Sequence, residues 1–170
     1  VQEIANWTNL KSVNVFADGL LQAIAYQERG KATMESALKM EMEYWKSRLT
    51  TEGLIMHDGC GLSRSNAISA AHFCSLLSYM YRSANYQNYK STLPIAGVSG
   101  TAKYLCKGEI GEGRVFAKSG SMKGVKSYAG YVESITGKKI AFSITVNDFS
   151  CTGNQLSVKI EKILNALATY

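Results

Sequence analysis

Residues 139–147, KIAFSITVN, alternate strictly, with Ile140, Phe142, Ile144 and Val146 on one side and Ala141, Ser143, Thr145 and Asn147 on the other. A period of two is the mark of a β-strand. Lys123-Gly124 and Thr136-Gly137-Lys138 carry turn chemistry just upstream. Residues 114–122, 125–134 and 139–147 are therefore predicted to form a three-stranded antiparallel meander. Before it the apolar positions recur at three and four. Residues 15–26 place Phe16, Leu20, Ala23 and Ile24 on one helical face, and residues 33–49 do the same with Met34, Leu38, Met42, Trp45 and Leu49. Ser69 is placed to cap a helix to about Tyr81, with Phe73, Leu76, Leu77 and Met80 inward. Residues 154–168 close the chain as a helix expected to turn Leu156, Ile160, Ile163, Leu164 and Leu167 to the sheet. The glycine-punctuated stretch 51–66 reads as a short strand and then a loop. Residues 83–113 read as loop-rich, with one short helix after Gly100. The class is α+β: helices, a meander, and a helix packed on it.

The 170 residues are 46% hydrophobic and 19% charged, a balance that supports one globular domain with a real core. No apolar run approaches the ~18 residues of a membrane span. The formal net charge of +6 suits an anionic partner. The Lys and Arg residues are scattered, without a run of five, so no nucleic-acid partner is expected. Cys60, Cys74, Cys106 and Cys151 form no CxxC pair, and His57 and His72 have no metal-ligand spacing with them. The cysteines are read as small buried hydrophobes, with a disulfide as the alternative, and no metal site is expected.

Chemistry gathers at residues 117–121, AKSGS. Lys118, Ser119 and Gly120 stand in a row on a strand, and such an edge is a receptor for a carboxylate. The ammonium supplies charge, the hydroxyl a directed hydrogen bond, and glycine a close approach. The backbone N–H of Ser121 is placed to meet a developing oxyanion. The triplet is of the K-T-G kind that accompanies S-x-x-K and a second serine motif in penicillin-binding proteins and β-lactamases. Far upstream, Lys11-Ser12-Val13-Asn14 supplies S-x-N just before a helix, where Ser12 or Asn14 would otherwise serve as an N-cap.

Together with DGCGLSRSN (58–66), LPIAGVSGT (93–101) and AKSGSMKGVKSYAGYV (117–132), these residues resemble the low-molecular-weight class C penicillin-binding proteins, the D-alanyl-D-alanine carboxypeptidase/endopeptidase family. The resemblance runs from about Lys11 to Val146 and implies a serine β-lactamase/transpeptidase-like domain. It implies that Ser12 shuttles a proton to the leaving amine and that Asn14 holds the substrate amide. It also implies that Lys118, Ser119 and Gly120 form the carboxylate triplet, and that Ser121 lends its N–H to the oxyanion hole. Serine replaces threonine in the triplet and keeps the hydroxyl. Cys60 stands where the family has serine, in a loop read as structural.

The nucleophile of such a site is the serine of S-x-x-K. Ser36-Ala37-Leu38-Lys39 matches the pattern but follows S-x-N, whereas the family motif precedes it. Ser36 is expected on the solvated face of its helix, opposite Met34, Leu38 and Trp45, with no cap setting it at a helix N-terminus. The nucleophile and the family's inserted domains are expected upstream of Val1, making residues 1–170 the C-terminal part of the penicillin-binding domain. The resemblance implies acyl-enzyme cleavage of peptidoglycan stem peptides in the periplasm, acylation by β-lactams, and no metal or cofactor. The fragment alone is expected to be inactive and to pair its exposed sheet edge with the N-terminal part or with another copy. The other readings are a serine β-lactamase and a non-catalytic wall-binding homologue. The segments at 58–66 and 93–101 speak against the β-lactamase.

Overall fold

A computed structural model describes residues 1–30 and 32–170. The period-two segments form β1 (Val115–Met122), β2 (Val125–Glu133) and β3 (Lys139–Asn147), antiparallel in the order β1-β2-β3. Met122 pairs with Val125 and Val115 with Val132; Val125 pairs with Asn147 and Glu133 with Lys139. Gly124 and Gly137 take φ of 78° and 84° in the two connections, a region that costs glycine nothing. At the pair Ala117↔Gly130 there is no space for a side chain. A Cβ on Gly130 would lie 2.0 Å from the carbonyl oxygen of Phe116 and 2.8 Å from the Cα of Ala117. Glycine therefore sets the β1–β2 spacing one residue before Lys118.

Both faces of the sheet are covered. On one lies α6 (Gly153–Thr169), which buries Leu156, Ile160, Leu164 and Ala168 against Val115, Ala117, Tyr128, Val132 and Phe142. Thr152 caps it by accepting from the Gln155 N–H, and the Gln155 side chain reaches back to the Thr152 backbone. Ile163 does not face the sheet as expected; it is 49% exposed. The buried stripe runs at intervals of four from Leu156 and so drifts around the helix, which by the third turn leaves Ile163 about 100° from its neighbour Leu164, outside the stripe. On the other face sit α4 (Ala70–Arg82) and α5 (Tyr86–Thr92), joined to β2 through Leu77, Tyr86, Leu93 and Tyr131. The buried Tyr131 hydroxyl donates to the Leu77 carbonyl at 2.8 Å. Ser69 caps α4, accepting from the His72 N–H, and the His72 ring returns the bond to the Ser69 backbone.

The remaining helices frame the edge of the sheet. α1 (Gln2–Lys11) has no counterpart in the sequence reading, because it fully buries none of its residues and leaves Ile4 and Trp7 exposed. Polar contacts dock it on α5: Asn9 Nδ2 donates to Thr92 Oγ1 at 2.6 Å, and Gln2 Nε2 to the Asn88 carbonyl at 3.0 Å. α2 (Asn14–Arg29) follows after a single corner, and α3 (Met34–Lys46) packs against it. Phe16 and Ile24, expected inward, are 39% and 52% exposed. The inner stripe is Ala17, Leu21 and Ala25, rotated by one residue from the expected face. The fully buried residues of this helix pair are Ala25 and Ala37, small side chains that suit a close approach. The strand expected within 51–66 is reduced to one bridge, Ile55↔Ala67. Within 83–113 the chain forms α5 as well as the expected turn after Gly100, a 3₁₀ turn over Gly100–Ala102. All four cysteines are free; Cys106 alone is fully buried, and burial pushes its thiol up to about 12.

Candidate functional site

Ser12 lies at the corner where α1 ends and α2 begins. Its backbone is left-handed, φ 56° and ψ 48°, and Val13 is extended before Asn14 opens α2. A non-glycine residue in that region carries strain. The corner thus presents the Ser12 hydroxyl beside the end of one helix and Asn14, exposed, at the start of the next.

β1 is an edge strand. Its first half is covered by the 94–96 segment, where the Ala117 N–H donates to the Pro94 carbonyl and the Ala96 N–H to the Val115 carbonyl, each at 2.9 Å. An antiparallel ladder turns alternate residues to alternate sides. The N–H and C=O groups of Ser119 and Ser121 consequently point to that same outer edge, beyond the reach of the covering segment. The side chains alternate across the two faces as well. Phe116 packs on the α4–α5 side and Ala117 on the α6 side, which sends Lys118 toward α1 and Ser119 toward the 3₁₀ turn.

Lys118 Nζ donates to Ser12 Oγ at 2.8 Å, across 106 positions of sequence, and to the Ser119 carbonyl at 2.8 Å. Desolvation by burial lowers the Lys118 pKa, since removing water disfavours the ammonium. Ser119 Oγ donates to Thr101 Oγ1 at 2.9 Å. Gly120 faces β2; a Cβ there would come within 2.6 Å of Ser127 Oγ. Ser121 is exposed at the open edge. Ser12, Lys118 and Ser119 are thus linked by hydrogen bonds. Thr101 joins them and was not singled out from the sequence, although it ends the 93–101 segment. Its signal was a hydroxyl after glycine, which is too common to stand alone.

The turn bearing Thr101 is wedged between the two halves of the site. Gly100 has φ 58°, and a Cβ on it would lie 2.9 Å from the Leu10 carbonyl oxygen and 3.1 Å from Pro94 Cβ and Cγ. Leu10 belongs to the last turn of α1 and Pro94 to the segment paired with β1. The 58–66 loop braces α2: the Gly59 N–H donates to Asp18 Oδ1 at 2.9 Å, one helical turn after Asn14. Asp58 organises the loop by accepting from the Gly61 N–H at 2.8 Å, the Ser63 N–H at 2.5 Å and Asn66 Nδ2 at 3.0 Å. Burial opposes its ionisation, but these hydrogen bonds outweigh that and hold its carboxyl below the usual range.

Ser36 is not placed as the sequence reading had it. It is half-buried rather than solvated, and it lies in the first turn of α3 behind a cap, Thr33. The chain enters α3 extended at Thr33, φ −77° and ψ 148°, so that the Thr33 hydroxyl accepts from the Ser36 N–H at 3.2 Å. The Ser36 hydroxyl donates to the Thr33 carbonyl at 2.9 Å.

In chemical terms the open edge offers an ammonium, two serine hydroxyls and an outward N–H. Groups of this kind are able to bind a carboxylate and to pass a proton through a lysine-linked hydroxyl. The profile of the D-Ala-D-Ala carboxypeptidase 3 (S13) family matches residues 2–169. The D-alanyl-D-alanine carboxypeptidase DacB of Haemophilus influenzae is 32% identical over 151 residues, covering 82% of this chain and 30% of that protein. A D-alanyl-D-alanine carboxypeptidase of an Actinomadura species is 34% identical over 145 residues, covering 82% of this chain and 27% of its own. The chain therefore spans less than a third of the length of these relatives. The crystal structure of penicillin binding protein 4 (dacB) from H. influenzae superposes with a TM-score of 0.87 at 27% identity, covering 99% of this chain and 40% of that one. It has also been solved in complex with a β-lactam. The TLA-1 extended-spectrum β-lactamase shares the fold, with a TM-score of 0.68 at 19% identity over 98% of this chain and 62% of its own. With a family profile running over nearly its whole length, the chain belongs to the D-Ala-D-Ala carboxypeptidase 3 (S13) family.

Proposed function

We propose that this chain is the C-terminal part of a penicillin-binding serine D-Ala-D-Ala carboxypeptidase/endopeptidase that cleaves peptidoglycan stem peptides in the periplasm. The observation that carries this reading is the 2.8 Å bond from Lys118 Nζ to Ser12 Oγ at the open edge of β1. A serine nucleophile contributed from upstream of Val1 attacks the carbonyl before the terminal D-alanine and forms an acyl-enzyme. Its proton leaves through the lysine of S-x-x-K, and the Ser12 hydroxyl, bonded to Lys118, delivers a proton to the departing amine. The Ser121 N–H faces the developing oxyanion. The Lys118 ammonium and the Ser119 hydroxyl bind the terminal carboxylate, and Asn14 holds the peptide amide. Water then releases the product and restores the serine. β-Lactams enter the same site because they too join a reactive acyl group to a carboxylate, and the H. influenzae relative in complex with a β-lactam supports this.

Acylation of the full-length protein by a labelled penicillin, compared among wild type, Ser12→Ala and Lys118→Ala, tests the reading. Losing a hydrogen bond to a charged group costs about 1.5–3 kcal/mol, or roughly ten- to a hundredfold in acylation efficiency. Both variants are expected to fold and to lose at least that much. A Lys118→Ala protein acylated as fast as wild type would remove the lysine from the mechanism. Failure of wild type to be acylated would favour a non-catalytic wall-binding protein.

A further inference from the structure

We propose that Thr101 is a positioning residue of the carboxylate subsite: its hydroxyl holds the Ser119 hydroxyl in the orientation that donates to a ligand carboxylate. The inference rests on the function proposed above and adds to it a residue outside the two recognised triplets.

Ser119 sits on the open half of β1 with a side chain that can occupy three staggered wells. A threonine there would be held by its second branch at Cβ, and serine lacks that restraint. The Ser119 hydroxyl is instead held from outside, by Thr101 Oγ1 at 2.9 Å. Thr101 is suited to this. It is β-branched, and its turn is fixed on both sides. Gly100 packs against the Leu10 carbonyl and Pro94. The Gly97 N–H donates to the Ala102 carbonyl at 3.0 Å, and Ala102 is 1% exposed. Leu10 precedes Ser12 by two residues, and Pro94 bonds Ala117 two residues before Ser119. The turn therefore fixes Thr101 relative to both halves of the site.

The protons must rearrange when a ligand arrives. In the free protein Ser119 donates to Thr101. A carboxylate only accepts, so the Ser119 hydroxyl turns its proton to the ligand. Thr101 then turns its own proton to Ser119 Oγ, which becomes acceptor and donor at once. Lys118 and Ser119 project from opposite faces of the edge strand, so the carboxylate meets an ammonium from one side and the oriented hydroxyl from the other.

The test uses the full-length protein and two peptides, one ending in a free D-alanine carboxylate and the other in its carboxamide. Thr101→Val keeps the shape and removes the hydroxyl. It is expected to raise KM for the carboxylate peptide about three- to tenfold, the size of one neutral hydrogen bond. kcat should stay within about twofold, and the carboxamide peptide should be unaffected. Thr101→Ser should restore wild-type KM. In a Ser119→Thr background, where the branched side chain holds itself, adding Thr101→Val should change KM little. An unchanged KM in an active Thr101→Val enzyme overturns this inference and leaves the functional reading intact, as does an equal loss on both peptides or an equal penalty in the Ser119→Thr background. A wild-type protein that cleaves neither peptide and is not acylated by penicillin overturns the functional reading, and this inference with it.

Discussion

Ser12 combines two demands that ordinarily conflict. It occupies a left-handed corner, φ 56°, that favours glycine, and it carries the hydroxyl that Lys118 holds at 2.8 Å. The left-handed region costs an L-residue about 1–2 kcal/mol, part of which glycine would return as lost chain entropy. Ser12→Ala and Ser12→Gly both remove the hydroxyl, and both should lose penicillin acylation. Only alanine keeps the strain, so Ser12→Gly should be the more stable of the two by about 1 kcal/mol in urea unfolding of the full-length protein. Equal stability would mean that the corner relaxes and is not strained. The motif residues were legible in the sequence because each carries a distinct functional group in a fixed order. What Ser119 touches was not legible. Thr101 reaches it only because Gly100 packs between α1 and Pro94, and that contact is tertiary.

At the scale of elements, legibility followed burial. β1, β2 and β3 alternate and end at turn residues, and their ends fall within a residue of the expected ones. The C-terminal helix showed its stripe, with Ile163 the one residue assigned to the wrong face. α1 and α5 were silent for different reasons. α1 docks through Asn9 and Gln2 instead of an apolar face. α5 is seven residues long, too short for a period, although Tyr86 and Tyr89 both lie on the Tyr131 ring. α2 misled because its large apolar residues, Phe16 and Ile24, face outward while alanines face α3. The β1–β2 contact bears directly on the site. Gly130→Ala places a methyl against the Phe116 carbonyl and forces the two strands apart beside Lys118. Overpacking against backbone should cost about 3 kcal/mol, read as a lower urea midpoint of the full-length protein, with weaker acylation in the fraction that stays folded. A change below about 1 kcal/mol with normal acylation would show that the strand spacing is not set there.

At the scale of the whole molecule, we propose that the described residues form one wall of a cleft. Ser12, Lys118 and Ser119 are linked by hydrogen bonds at the β1 edge, and β3 ends the sheet with no further strand partner among the described residues. The chain spans 30% and 27% of the two carboxypeptidase relatives. We propose that upstream segments cover the β3 edge and bring the S-x-x-K serine opposite Lys118, with Ser36 outside the catalytic machinery. The central claim is that the nucleophile and this wall come from different parts of one protein. Mapping the serine that becomes penicilloylated, by proteolysis and mass spectrometry of the full-length protein after labelled penicillin, tests that most directly. The account predicts a single stoichiometric adduct on a serine upstream of Val1, followed three residues later by lysine, and much slower labelling in Lys118→Ala. A stoichiometric adduct on Ser36, or on any serine within residues 1–170, would contradict it.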